Sequence, residues 1–194
     1  MRKLKVAVIY HTATGTTGQL AHAISDGINS VHNVESVEFK ILGSDILEGR
    51  FINQQALEIV TGADGVVFGS PTLMGGVSSQ FKAFADASSD LWADMKWAGK
   101  AAAGFTIGSN FSGDQLSSIQ YLQIFASQHG MLWTSIDIAG GCDSKSRNRL
   151  GAQSGLIAHT TDSRVNSIDL ETAHHLGARV ARFVKVISES ETKI

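Results

Sequence analysis

The sequence predicts an α/β fold, a doubly wound sheet of five parallel strands with helices on both faces. Short apolar, β-branched runs alternate with helix-patterned segments five times along the chain. The runs are almost continuously apolar, which suits parallel strands covered on both faces. Three of them end in loops of Gly, Ser and Thr, where ligands bind in such folds.

The elements follow in order. Strands are expected at residues 4–10, 34–40, 65–70, 101–107 and 131–136, and helices at 16–28, 54–61, 77–88, 113–129 and 168–188. The first helix shows its buried stripe in Leu20, Ala21, Ile24 and Ile28. Residues 139–166 carry no clear pattern and hold Gly140, Gly141, Gly151 and Gly155. A loop that long inside a compact domain is usually functional or partly disordered. Repeats, linkers and low-complexity tracts are absent, and the one proline is Pro71.

Length and composition narrow the function classes. The 194 residues fit a single domain, residues 1–194, with a substantial core. Hydrophobic residues make up 43% and charged residues 18%, an ordinary globular balance. A net charge of −2 gives no basic footprint for nucleic acid. Cys142 is the only cysteine, so no intrachain disulfide forms and a reducing compartment is expected. The basic start Met1-Arg2-Lys3 is not followed by a clean cleavage site, and no apolar run reaches membrane-spanning length. The expected setting is the cytoplasm, without membrane insertion.

Three loops could carry chemistry. The first is Thr12-Ala13-Thr14-Gly15-Thr16-Thr17, between a strand and a helix. Backbone N–H groups, hydroxyls and the positive end of a helix dipole can converge there on one anion. It has no lysine, which excludes a nucleoside triphosphate loop, and no G-x-G-x-x-G fingerprint of a dinucleotide site. A single terminal phosphate monoester suits it; the plainer reading is a helix cap. The second loop runs through Pro71, Thr72, Leu73, Met74, Gly75 and Gly76. Pro71 is expected to end its strand, and the glycine pair lets backbone approach a ligand. The third holds Thr106, Gly108, Ser109, Asn110 and Gly113. Each of these two alone is also readable as a turn. All three follow strands and lie at one edge of the predicted sheet, and that convergence outweighs any single loop.

Here the chain resembles a known family. The pattern from Thr12 to Thr17 is similar to the flavodoxin phosphate loop, [ST]-x-T-G-x-T. The stretch from Ala63 to Gly75, then Gln80, Phe84, Asp86 and Leu91-Trp92, resembles the WrbA-type NAD(P)H:quinone oxidoreductases. Gly99-Lys100, His129-Gly130-Met131 and the ending from Leu176 to Ala181 fit as well. The likeness spans nearly the whole chain and is weakest at residues 41–62 and 139–165.

That resemblance implies a flavodoxin-like fold, FMN as cofactor, NADH or NADPH as donor, and two-electron transfer to a quinone-like acceptor. By position, residues 12–17 would hold the phosphate and residues 71–76 would frame the flavin ring. His129 would sit beside the ring as a catalytic and substrate-pocket residue. Trp92 would wall the pocket, from a neighbouring subunit in a homodimer or homotetramer. There are departures. Leu73 and Met74 stand where the family usually has Arg-Phe, and residues 151–155 read Gly-Ala-Gln-Ser-Gly instead of Gly-Thr-Pro-Tyr-Gly. A leucine cannot replace a guanidinium fork, although a methionine can pack on a ring. Two rivals therefore stand beside the enzyme: a flavodoxin-like one-electron carrier, and a regulatory module that keeps the fold without the flavin.

The remaining polar residues read plainly. The pairs His22 with Asp26 and Glu171 with His175 have i, i+4 spacing but supply two ligands each, so no metal is expected. Trp97 and Trp133 are expected in the core or an interface, and without G-x-S-x-G an α/β-hydrolase is disfavoured.

Overall fold

The structure, a computed structural model, describes residues 2–191. In chain order it has β1 (Leu4–His11), α1 (Thr16–Asn29), β2 (Val34–Ile41), β3 (Ile46–Leu47), β4 (Arg50–Phe51) and α2 (Gln54–Gly62). Then come β5 (Gly65–Leu73), β6 (Gly76–Val77), α3 (Ser79–Ala87), α4 (Ser89–Trp92) and β7 (Ala101–Gly108). The chain closes with α5 (Gln115–Gln128), β8 (Leu132–Trp133), β9 (Leu156–His159) and α6 (Ser167–Glu191). The main sheet runs β2-β1-β5-β7-β8 with parallel ladders, the flavodoxin-like arrangement. All these strands therefore end at one edge, where the βα loops gather.

Strand alternation sorts the core onto two faces. Val6, Val8 and Tyr10 of β1 pack with Leu20, Ile24 and Ile28 of α1 and Leu176, Val180 and Val184 of α6. Ala7 and Ile9 face the other way, toward Leu57 of α2, Phe81 and Phe84 of α3, and Phe125 of α5. Each large side chain buried this way contributes about 1.5–3 kcal/mol. Helices α1 and α6 cross backbone to backbone: a Cβ on Gly27 would lie 2.0 Å from the His174 carbonyl oxygen, and one on Gly177 2.0 Å from that of Ile24. Only glycine allows so close a crossing.

Two expectations need correction. The proposed fifth strand at 131–136 is shared. β8 pairs with the start of β7 (Ala101 with Leu132), and β9 pairs with its end (Phe105 with Leu156 through Gly108 with His159), both in parallel. Between them the chain leaves the sheet and closes on itself. The Ile136 N–H donates to the Gln153 carbonyl (2.8 Å), and Asn148 Nδ2 donates to the Ile138 carbonyl (2.7 Å). Second, Pro71 does not end its strand, because β5 continues to Leu73 with Pro71 opposite Ile107 of β7. The pairing of β5 with β1 stops at Gly69, so beyond it β5 is an edge strand on that side. A proline is tolerated on such an edge.

Candidate functional site

At the loop-bearing edge of the sheet the ends of β1, β5, β7 and β9 surround a cleft of about 330 Å³. Its first wall is the loop after β1. The Gly15 N–H donates to Thr12 Oγ1 (3.0 Å), and the Thr14 and Thr16 hydroxyls lie 3.2 Å apart. Gly15 has φ +91°, a left-handed conformation that glycine adopts without strain, and a Cβ there would meet only open space. Helix α1 begins at once, without a side-chain cap. Its first intrahelical bond runs from the Gln19 N–H to the Gly15 carbonyl (3.2 Å). The N–H groups of Thr16, Thr17 and Gly18 are thus free to meet an anion.

The Thr17 hydroxyl is the telling atom. Thr17 is 0% exposed, and its Oγ1 has no hydrogen-bond partner. Burying an unsatisfied hydroxyl costs about 1–3 kcal/mol. A terminal phosphate at the helix start would supply the missing acceptor, so the residues present fit a phosphate-bearing cofactor such as FMN. Beside the loop, His11 ends β1, buried, with Nδ1 also unpartnered. Burial, with the nearby Lys40 charge, holds its pKa below the usual histidine value.

The second wall is the end of β5, where Pro71, Thr72 and Leu73 line the cleft. Met74 and Gly75 form the two-residue turn between β5 and β6, with φ values of +49° and +75°. Positive φ at both positions is what a type I′ hairpin needs. The Met74 side chain stands in solvent, 105% exposed.

A directed chain of hydroxyls fixes Thr72. Thr106 Oγ1 donates to the Ser70 carbonyl (2.7 Å), so its proton is committed. It must then accept from Thr72 Oγ1 (2.8 Å), which in turn accepts from Ser118 Oγ (2.8 Å). Thr106 therefore anchors the wall from beneath rather than lining the cleft.

Ile107, Gly108 and Ser109 form the third wall. Asn110 accepts at its carbonyl from Gln115 Nε2 (2.5 Å), and Gly113 closes the turn back onto that carbonyl (3.2 Å). The fourth wall, Thr160, Thr161, Asp162 and Ser163, lies in the loop after β9. Gln19 holds it: Nε2 donates to the Ser163 carbonyl (2.8 Å), and Oε1 accepts from the Val165 N–H (3.2 Å). The Arg164 N–H and the Thr160 hydroxyl keep the Asp162 carboxyl below the usual carboxylate range. No signal in the sequence singled out this wall beyond the lack of pattern in residues 139–166. The lining residues include no lysine or arginine. An anion there would have to be held by N–H groups, hydroxyls and the helix dipole.

Of the expected site residues, Ala13, Thr14, Thr16, Pro71, Thr72, Leu73, Gly108 and Ser109 line the cleft. Thr12, Gly15 and Thr17 belong to the loop after β1 and the first turn of α1, and Gly75 and Gly76 belong to the hairpin. His129 and Trp92 are not brought to it within one chain. Helix α5 starts beside the third wall and runs 14 residues away from it, roughly 21 Å at 1.5 Å per residue. His129 caps its far end, near the start of β7, where the Gly99 N–H donates to the Gly130 carbonyl (3.0 Å). It is buried against Trp97, ring centroids 4.3 Å apart. Ser88 Oγ gives its proton to the Ala85 carbonyl (2.7 Å), so it accepts from His129 Nε2–H (2.9 Å). His129 Nδ1 is left bare, and burial lowers the ring's pKa. Within one chain, the helix carries His129 away from the cleft. Trp92 is 49% exposed and sits in α4, which precedes that same far end of β7.

Two histidines elsewhere have local ionic partners. His22 Nδ1 lies 3.0 Å from Glu38, and His175 bridges Asp137 (2.6 Å) and Arg147 (3.2 Å). Among the described residues no group of three His, Cys, Asp or Glu could hold a metal ion.

Comparison with known proteins agrees with the geometry. Residues 4–140 match the family model described as NADPH-dependent FMN reductase. Flavodoxin FldP of Pseudomonas aeruginosa strain UCBPP-PA14 is 35% identical over 187 residues, covering 92% of this chain and 95% of that one. Quinone-oxidoreductase QR2 of Triphysaria versicolor is 30% identical over 201 residues, covering 96% and 98%. The crystal structure of a flavodoxin, WrbA-like protein from Agrobacterium tumefaciens superposes with a TM-score of 0.74 at 33% identity, covering 94% and 98%. With the sheet order and these matches in agreement, the chain belongs to the NADPH-dependent FMN reductase family, in its flavodoxin-like, WrbA-type branch.

Proposed function

We propose that this protein is an FMN-dependent NAD(P)H oxidoreductase that passes two electrons to quinone-like acceptors. The observation that carries the reading is the uncapped start of α1, whose Thr14 and Thr16 line one cleft with three further loops, together with the buried, unpartnered hydroxyl of Thr17 in the first turn. When bound, FMN supplies the redox chemistry, taking a hydride from NADH or NADPH and delivering two electrons to the acceptor. The chain supplies position. Thr14, Thr16 and Thr17 hold the phosphate with the N–H groups of α1. Pro71 to Leu73 wall the ring, and the chain of hydroxyls from Ser118 to Ser70 keeps that wall rigid. The relatives named as quinone oxidoreductases support the acceptor class.

The test is direct. Purified protein should be yellow, release FMN on denaturation, and oxidise NADH or NADPH when a quinone is added. A flavin-loaded protein without such turnover refutes the enzyme. The likeness to a flavodoxin at 35% identity favours a second reading, a one-electron carrier. Potentiometry separates them, since a carrier shows two well-separated one-electron potentials.

The reading extends to a homodimer or homotetramer in a reducing cytoplasm. The exposed Trp92 supports the first, as it is remote from its own chain's cleft and available to another copy. The single cysteine supports the second. No helix among the described residues is long and apolar enough to cross a membrane. Light scattering tests the assembly: a strictly monomeric protein removes any role for Trp92.

A further inference from the structure

One large aromatic side chain beside the cleft is held out of the core. Phe111, in the loop after β7, is 69% exposed. Its ring lies on the His159 imidazole, with centroids 3.9 Å and planes 21° apart. Most of the phenyl remains open to solvent.

The backing ring is fixed in place. His159 Nε2–H donates to the Ser109 carbonyl (3.1 Å), which sets the ring's tilt. Its own N–H donates to Asp169 Oδ2 (3.3 Å), and its carbonyl accepts from Arg149 Nη2 (3.3 Å). Arg149 and Asp169 form a two-pronged ion pair, both contacts 2.7 Å, with Asp169 almost fully buried. Two residues before Phe111, Ser109 lines the cleft; one residue after His159, so does Thr160. The stack thus joins the third and fourth walls at the rim. Across the cleft, Leu73 lines the second wall and is 49% exposed.

We infer that Phe111, backed by His159, is the platform on which the flat ring of the electron acceptor rests, and that it selects planar, largely uncharged quinonoid rings over compact hydrophilic acceptors. The inference rests on the oxidoreductase reading above and names the specificity element of that site. An aromatic face prefers an offset-stacked flat ring, and a pair already stacked loses little freedom when a third ring joins it. The apolar side chains of Leu73, Pro71 and Ile107 suit the same kind of molecule.

The experiment compares FMN-loaded wild type, Phe111→Ala and Phe111→Trp. Two acceptors are used, 1,4-naphthoquinone and ferricyanide, and FMN affinity is measured separately by flavin fluorescence. Phe111→Ala should lower the ratio of kcat/KM for naphthoquinone over ferricyanide about fivefold or more, through KM, and Phe111→Trp should restore it. Binding of 2-naphthol, followed by perturbation of the flavin absorbance, should weaken by a similar factor in Phe111→Ala. An unchanged ratio together with unchanged naphthol binding overturns the platform. If wild type reduces neither acceptor with NADH or NADPH, the oxidoreductase reading fails. The naphthol measurement then decides the platform alone: loss in Phe111→Ala with recovery in Phe111→Trp supports it, and equal binding in all three, or none in wild type, overturns it.

Discussion

Replacing Gly27 or Gly177 by alanine should destabilise the protein, although alanine is the better helix former. The added Cβ would lie 2.0 Å from a backbone carbonyl oxygen of the facing helix, while ordinary contact begins at 3.4 Å. The axes must therefore part by about 1.4 Å at the crossing. A gap of even 0.5–1 Å forfeits roughly a quarter to a half of the local dispersion energy. Overpacking of this kind costs about 1–3 kcal/mol, and a clash with rigid backbone belongs at the upper end. Helix propensity returns about 1 kcal/mol, leaving a net loss of about 2 kcal/mol. For a domain of this size that is a fall in Tm of about 4–8 °C. Urea unfolding of Gly27→Ala, Gly177→Ala and the double variant reads it directly. The double variant should lose less than the sum, because one separation of the helices relieves both clashes. A rise in the urea midpoint of either single variant would refute the close crossing, since it would leave propensity as the only effect.

Other outcomes follow from the site. Thr17→Val should weaken FMN binding about tenfold or more, the loss of a hydrogen bond to a charged group. It should leave the FMN-free protein equally or more stable, because the methyl replaces a buried hydroxyl that has no partner there. Equal FMN affinity in fluorescence titration would remove Thr17 from the phosphate site. Thr72→Val should cost about 1–3 kcal/mol in urea unfolding by stranding the Ser118 hydroxyl, whereas Thr72→Ser should cost far less; equal losses would discount the hydroxyl chain. Burial holds the pKa of folded His129 below 6.5, so the unfolded chain takes up the proton first as pH falls. Its stabilising contribution is thus present above pH 6.5 and is lost as pH drops through that value toward the folded pKa, and His11 adds to the same trend. The urea midpoint should decline below pH 6.5, and His129→Gln should remove part of that decline; parallel pH profiles would refute it.

Much of this architecture is legible in the sequence, because strands covered on both faces must be apolar and the helix α1 shows its buried stripe. The loop after β1 is legible as a cleft wall for a related reason: hydroxyls around one glycine between a strand and a helix sit where the strand ends, and the structure leaves that helix start uncapped. Residues 160–163 escape such reading. They follow a strand of four residues and are held by Gln19, 144 residues away from Ser163, so no local pattern records their place. Pro71 misleads because the rule against proline assumes a strand paired on both sides, and β5 has lost β1 by that point. The place of His129 is not legible in the sequence for a geometric reason: its neighbours match a family pattern, but the direction of α5 takes it to the end of the sheet opposite its own chain's cleft.

The lane beside β7 is filled by two separate pieces of chain, and this gives the protein a seam. Each piece keeps its own register on β7, so the excursion between them can lengthen or shorten without shifting any strand. Doubling such a loop costs only about 0.6 kcal/mol in closure entropy. The fourth wall hangs from the far side of that seam. Descendants of this fold can therefore trade one excursion for another as a cassette, redrawing a rim of the cleft while the phosphate loop and the sheet stay untouched.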